Sequence, residues 1–275
     1  MKIGIDMGGT NIRVGVVRAH DIIRKSEKHT LAHRGMQEIL DDLIAAIHEV
    51  ISPEVKSIGI GVPSVVDTQN GIVYNVTNIS SWKIVRLKEI LENEFNIPVT
   101  VNNDANCFTL GEQKHGVAKG HDNVVGITIG TGLGAGLIVN GQLYSGTNTC
   151  AGEIGDFLYL DKNMEYYCSG QFFTHVHGMN GVDVAKHAKE GNEEALKLFA
   201  DFGKNLGDLM KTILFAYDPQ VIVLGGSISK SYDFFCHEML KAVRTFPYPI
   251  VVENIKIKVS DDAEISILGA AELNP

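Results

Sequence analysis

The residues best suited to chemistry are two carboxylates and a set of glycine-bearing turns. Asp6 ends an apolar run over residues 2–6 and is followed at once by Met7-Gly8-Gly9-Thr10. Paired glycines bring backbone N–H groups close to an anion, and Thr10 adds a hydroxyl donor. An acid at the end of the first strand stands where it can hold a divalent cation beside a phosphate. For one isolated hairpin, an ordinary Gly-Gly turn with a solvated Asp is the simpler reading. Repetition weighs against it. After an apolar stretch over residues 123–129 comes Gly130-Thr131-Gly132-Leu133-Gly134, and after another over 220–224 comes Gly225-Gly226-Ser227.

The second carboxylate is Asp104, inside Asn102-Asn103-Asp104-Ala105-Asn106. This polar cluster follows a short strand at 99–101 and opens a helix over roughly 105–115. That is the edge at which α/β sheets bind ligands. A carboxylate there can accept the proton of a hydroxyl as the hydroxyl attacks phosphorus. Asp104 or Asn103 can equally cap the helix, and the two roles are compatible. Glu153, in Gly152-Glu153-Ile154-Gly155-Asp156, is a further acid between glycines. Cys168, His175 and His177 invite a zinc reading, but histidines two apart point different ways on a helix and a closed site needs more thiolates.

These residues need elements to hold them. Ile12, Val14 and Val16 alternate with Arg13 and Gly15, so residues 11–17 form a strand that closes a hairpin on the first. Residues 35–51 carry apolar side chains at helical spacing. Residues 55–62, 71–74 and 255–259 are strand-like; 87–95, 195–217 and 269–273 are helical. Gly130-x-Gly132-x-x-Ala135 fits a loose dinucleotide fingerprint, but that motif must open a helix. Here it opens a strand over 135–139 that turns at Asn140-Gly141 into 142–144, so a dinucleotide site is rejected. The only Trp, Trp82, follows Asn78 closely. Two readings stand for it: a platform for a sugar ring, or a plug in the core.

The whole chain sets outer limits. Its 275 residues suit two domains of ordinary size, and 44% hydrophobic with 21% charged residues is a soluble composition. A net charge of −9 disfavours nucleic-acid and anionic-membrane partners. No signal peptide or spanning run is recognisable. The four cysteines are scattered without a CxxC, which fits free thiols in a reducing cytoplasm.

Taken together, Asp6-x-Gly8-Gly9-Thr10, Asn103-Asp104, Gly130-Thr131-Gly132 and Leu224-Gly225-Gly226-Ser227 resemble the superfamily of actin, hexokinase-type sugar kinases and heat-shock chaperones. Within it, Gly59-Ile60-Gly61-Val62-Pro63, Asn78 with Trp82, and Gly152-Glu153-Ile154-Gly155 make the chain similar to the ROK family of sugar kinases, most of all its glucokinase branch. The resemblance covers nearly the whole length. It implies an α/β fold of two ribonuclease-H-like domains, residues 1–117 and 118–267, with a nucleotide and sugar cleft between them. The C-terminal helix 268–275 is a candidate addition to the first.

The resemblance also implies ATP-dependent phosphorylation of a hexose hydroxyl, glucose to glucose 6-phosphate in the first instance. N-acetylmannosamine, N-acetylglucosamine and other hexoses are alternatives, and a catalytically inactive sensor is the rival class. On this resemblance Asp104 is the base, with Asn78, Asn103, Asp104, Glu153 and His175 on the sugar. Asp6, Gly8, Gly9, Thr10, Asn11, Thr128, Gly130, Thr131 and Gly132 hold the phosphates. Gly225, Gly226 and Ser227 hold the adenosine, and Asp6 holds Mg²⁺. A cytoplasmic homodimer is expected, with small-molecule partners, no nucleic acid and no membrane.

The chain departs from the family pattern in three places. Asp156 stands where many members carry a zinc-binding His, and only Cys168 remains of the cysteines, so zinc is not expected. His175 replaces a sugar-contacting Glu. Ser64 follows Pro63 where Gly is usual.

Overall fold

The structure, a computed structural model, describes residues 1–76 and 79–273. It separates into two compact units: Met1–Gly120, Gly136–Ala151 and Asp261–Pro275 form the first, and His121–Ala135 with Gly152–Ser260 the second.

The first unit opens with β1 (Lys2–Met7), β2 (Asn11–Arg18) and β3 (Asp21–His29), a meander, then α1 (Met36–His48) and β4 (Ile58–Val62). Next come β5 (Val65–Asp67), β6 (Ile72–Tyr74) and β7 (Ile84–Arg86), a small antiparallel sheet. After these follow α2 (Leu87–Phe95), β8 (Val99–Asn103) and α3 (Asp104–Lys114). The main sheet has the order β3-β2-β1-β4-β8, with β1, β4 and β8 parallel. Ile3, Ile5, Ile12, Val14, Ile58 and Ile60 are buried in it, and α1 presents Ile39, Leu40, Leu43 and Ile47 to the same core. Trp82, 1% exposed, belongs to that core too.

The second unit contains β9 (Val124–Ile129) and the first residues of β10 (Leu133–Val139), whose remainder pairs with β11 (Gln142–Leu143) through the Asn140-Gly141 turn. Both turn residues have positive φ, 51° and 76°, as a two-residue hairpin of this kind demands. Then follow the hairpin β12 (Leu158–Tyr159) and β13 (Lys162–Asn163), α4 (Met164–Cys168), a π-helical turn at Phe172–Val176, α5 (Gly181–Lys189) and α6 (Glu193–Tyr217). β14 (Val221–Gly225) lies between β9 and the later β15 (Lys256–Val259), all parallel. α7 (Tyr232–Val243) packs on α6, and α8 (Pro249–Asn254) precedes β15. Phe172, Phe173, Phe199, Phe202 and Phe235 stack into the core beneath.

The last helix, α9 (Ile265–Ala271), returns to the first unit and packs on β1, β4 and α3. It comes so close that a Cβ on Gly4 or Gly59 would overlap the backbone of Ile267 or Ala270. Residues 261–267, expected with the second body, therefore group with the first. The segment 136–151 does so as well, because Thr149 donates its hydroxyl to the Val66 carbonyl and Asn106 reaches Ser145 Oγ at 3.5 Å. Among the described residues no helix is long and apolar enough to cross a membrane.

Candidate active site

In the first unit, sheet register brings the two predicted carboxylates to one edge. Asp6 at the end of β1 lies opposite Gly61 in β4, and Gly61 lies opposite Asn102 in β8. Two strand spacings separate Asp6 from Asn102, about 10 Å. A Cβ on Gly61 would stand 3.2 Å from the Cα of Asp104 and 2.9 Å from Cys107 Sγ, so this glycine lets the start of α3 sit against the sheet. The Cys107 thiol reports the result. Burial pushes its pKa far up, and the fields of Asp104 and Asp6 push it further. It is an inert core thiol.

The helix start is built by side chains around Asp104. Asn103 Oδ1 accepts from the backbone N–H groups of Ala105 (2.8 Å) and Asn106 (3.2 Å), which makes Asn103 the cap. Its Nδ2 donates to the Ser64 carbonyl at 3.3 Å. Asn102 Oδ1 accepts from Asn103 N at 2.8 Å and Asn106 Nδ2 at 2.9 Å. Asp104 is left as the first helical residue, half-buried and not needed as the cap.

Asp6 has a partner that sequence reasoning did not supply: Arg13, its register neighbour on β2, donates Nη2 to Asp6 Oδ2. Burial opposes the charge on Arg13, but the Asp6 field and hydrogen bond, with the fields of Glu264 and Glu27, together outweigh it and raise the guanidinium pKa. Among the described residues no group of three or more His, Cys, Asp or Glu could hold a metal ion. A cation here would take one or two carboxylates and complete its shell with water and phosphate, as Mg²⁺ does. Asp6 fits that, a hard oxygen donor beside a glycine turn. In that turn Gly8 N donates to Asn11 O at 2.9 Å, while Thr30 donates its hydroxyl to Gly8 O at 2.7 Å and its N–H to Thr10 O at 2.8 Å. Asn11 Oδ1 lies 2.9 Å from His29 Nδ1. Neither Gly8 nor Gly9 has positive φ, so the glycines serve here by leaving the backbone bare, not by turning it.

In the second unit, the two remaining glycine elements are neighbours. Thr128 lies opposite Gly225 in the sheet, and Ser227 Oγ would be 3.8 Å from a Cβ on Gly130. Gly226 has φ 84°, and a Cβ there would meet the Ile129 carbonyl at 2.4 Å. A short 3-10 turn, Ile228–Ser231, stands between Ser227 and α7. Glu165, Ser169 and Gly170, which no sequence motif singled out, hold the loop at 130–133 from behind. Leu133 N donates to Glu165 Oε2 at 2.9 Å, Ser169 Oγ to Thr131 O at 3.2 Å, and Gly170 N to Gly130 O at 2.7 Å.

Glu153 precedes the 3-10 turn Ile154–Asp156. The residue as a whole is exposed, but its carboxyl is crowded; desolvation, then Asp156 and Glu165, raise its pKa. His175 is exposed on the π-helical turn, with its ring 5.9 Å from that of Tyr166. Trp82 is not a sugar platform: its burial makes it a core plug, and its indole N–H has no partner among the described residues. Asn78 lies outside the described residues.

A model of the ROK family matches residues 2–275. A glucokinase of Thermotoga maritima is 28% identical to this chain, over 98% of this chain and 96% of that one. An N-acetyl-D-glucosamine kinase of Vibrio cholerae is 29% identical, over 100% and 99%. Among solved structures, a ROK family glucokinase from Streptomyces griseus in complex with glucose and AMPPNP superposes with a TM-score of 0.84 at 25% identity, covering 98% of each chain.

Proposed function

The chain belongs to the ROK family, and we propose that it is an ATP-dependent sugar kinase that phosphorylates a hexose hydroxyl, with glucose the first acceptor to try. The observation that supports this most is that Asp6, near the end of β1, and Asp104, just past β8, stand at the same end of the β1-β4-β8 sheet. A protein that only binds sugar has little use for the second carboxylate.

On this reading the sugar hydroxyl meets Asp104. The carboxylate accepts the hydroxyl proton as the hydroxyl oxygen bonds to the γ-phosphorus and the bond from that phosphorus to the ADP oxygen breaks. Asn103 uses its Oδ1 on the helix cap and one amide hydrogen on Ser64, so the second amide hydrogen is what it offers a sugar. Glu153 would also bind sugar hydroxyls. The turns at 8–10 and 130–132 would receive phosphates, and Gly225, Gly226 and Ser227 the adenosine. Asp6 would hold Mg²⁺ through the oxygen that does not meet Arg13. Magnesium, when bound, neutralises phosphate charge. The rest is positioning, with water kept from competing as nucleophile.

The Arg13–Asp6 pair favours a second reading, a sugar or nucleotide sensor, because it already neutralises the carboxylate a metal would use. One experiment separates the two. ADP release with Mg·ATP is measured across glucose, mannose, fructose, allose, glucosamine, N-acetylglucosamine and N-acetylmannosamine, beside Asp104→Asn. Turnover on one sugar, lost in the variant, establishes the kinase and its acceptor together. ATP binding without turnover on any sugar leaves the sensor.

A further inference from the structure

We propose that His20, His115 and Glu272 form a proton-operated lock, which fastens the turn between β2 and β3 to the C-terminal end of α3 and opens on acidification. The lock is independent of the kinase reading above.

Three elements meet at this corner of the first unit. His20 stands in the turn between β2 and β3, His115 ends α3, and Glu272 ends α9. His115 Nε2 lies 3.2 Å from Glu272 Oε1, and His115 Nδ1 lies 3.1 Å from His20 Nδ1. Lys2, on β1, sits 3.4 Å from Glu272 Oε2. The His115 side chain is 5% exposed, while His20 is open to solvent. Ala19, beside His20, has φ 56°, a conformation that residues with a Cβ rarely adopt. The turn therefore carries strain for an outside tie to hold.

The carboxylate sets the order of donors. Glu272, a carboxylate beside Lys2, can only accept, so His115 carries its proton on Nε2. Its Nδ1 is then a lone pair and accepts the Nδ1–H of His20. A proton added to His20 goes to Nε2 and leaves this chain intact. A proton added to His115 must go to Nδ1, where it faces the His20 N–H, and two donors cannot bond. That proton parts the turn from α3.

The surroundings resist it. Burial lowers the His115 pKa, and the charges of His20 and Lys119 lower it further, together outweighing the pull of Glu272. The native state thus holds this proton less tightly than the unfolded chain. Stability from the lock is complete above the ordinary value of 6.5 and is lost as pH falls through the lowered native value.

The test follows the His115 ring by NMR in the full chain from about pH 8 to about pH 5, beside the thermal midpoint. The ring titrates below 6.5. His20→Ala removes a facing charge and the competing N–H, and its His115 titrates at higher pH than in the wild type. Glu272→Gln removes the attracting charge and moves the titration lower. A contact with a merely structural role would not give these opposed shifts. Hydrogen exchange reads the turn itself: protection of the amides at 17–22 is lost as His115 titrates. His115→Gln, which takes no proton, melts below the wild type at about pH 8, and the gap closes as the pH falls. A ring that titrates above 6.5, shifts of one sign in the two variants, or protection that outlasts the titration overturns the proposal. So does a constant gap in thermal midpoint. If His115→Gln does not fold, the wild-type ring and His20→Ala decide the matter, because His20 is exposed and its loss leaves the core untouched.

Discussion

The two glycine loops at residues 8–10 and 130–132 share a composition and differ in what holds them. The first lies inside its own hairpin: Gly8 bonds to Asn11, and an outside support, Thr30, comes from just beyond the adjoining strand. The second is clamped by residues 165–170, more than thirty positions later, through a carboxylate, a hydroxyl and a backbone N–H. The units differ in kind as well. The first carries its carboxylates on side chains at the ends of β1 and β8, with β4 between them, while the second offers mostly backbone. A turn stabilised by near neighbours tolerates change in the rest of the fold. One stabilised from afar depends on the fold being complete.

The sharpest way to test this division is Asp104→Asn. We expect kcat to fall by about 10²–10⁴, the worth of a positioned general base, with KM for ATP unchanged. A parallel loss of ATP affinity would mean that the units do not divide the labour as described. Gly226→Ala comes next. Its φ of 84° and the close Ile129 carbonyl should cost about 2–4 kcal/mol of stability in urea unfolding. Thr30→Val is the corresponding cut beneath the first loop. Thr30 is 0% exposed, and losing its hydroxyl should cost about 1–2 kcal/mol. In contrast, Gly8→Ala should change stability by less than about 1 kcal/mol while raising KM for ATP. Its Cβ would meet nothing nearer than Asn11 O at 3.5 Å. If Gly8→Ala unfolds the protein as Gly226→Ala does, the contrast between the loops is gone.

The smallest effect concerns pH. Desolvation, then Asp156 and Glu165, raise the Glu153 pKa above its ordinary value of 4.5. The native state thus holds this proton more tightly than the unfolded chain. Stability from this group is complete below that ordinary value and is lost as pH rises through the raised native pKa. Glu153→Gln has no such loss. Its thermal midpoint should match the wild type in acid and exceed it at neutral pH. A constant gap between the two across that range would remove the titration as the cause.

Much of the architecture is legible from local signals. Strand alternation in 11–17 and the helical spacing of 195–217 need only a few neighbours to be read. So do the Asn140-Gly141 turn and the helix start at Asn103-Asp104, because each rests on hydrogen bonds between residues close in sequence. β3 was not readable: its burial is mostly outward-facing, with Ser26 its one buried residue, so it shows no apolar alternation. Gly59 and Gly61 read as motif residues, yet the fold uses their missing side chains to seat α9 and α3.

For this protein the sequence by itself determined where the turns fall, which residues end strands, and which acids stand there. Only the tertiary structure decided that Trp82 is interior, that Arg13 meets Asp6, and that Glu165 and Thr30 brace the two loops. The physical reason is range. Backbone turns and caps are set by torsions and bonds within a few residues, whereas burial and long-range hydrogen bonds exist only after distant segments pack together.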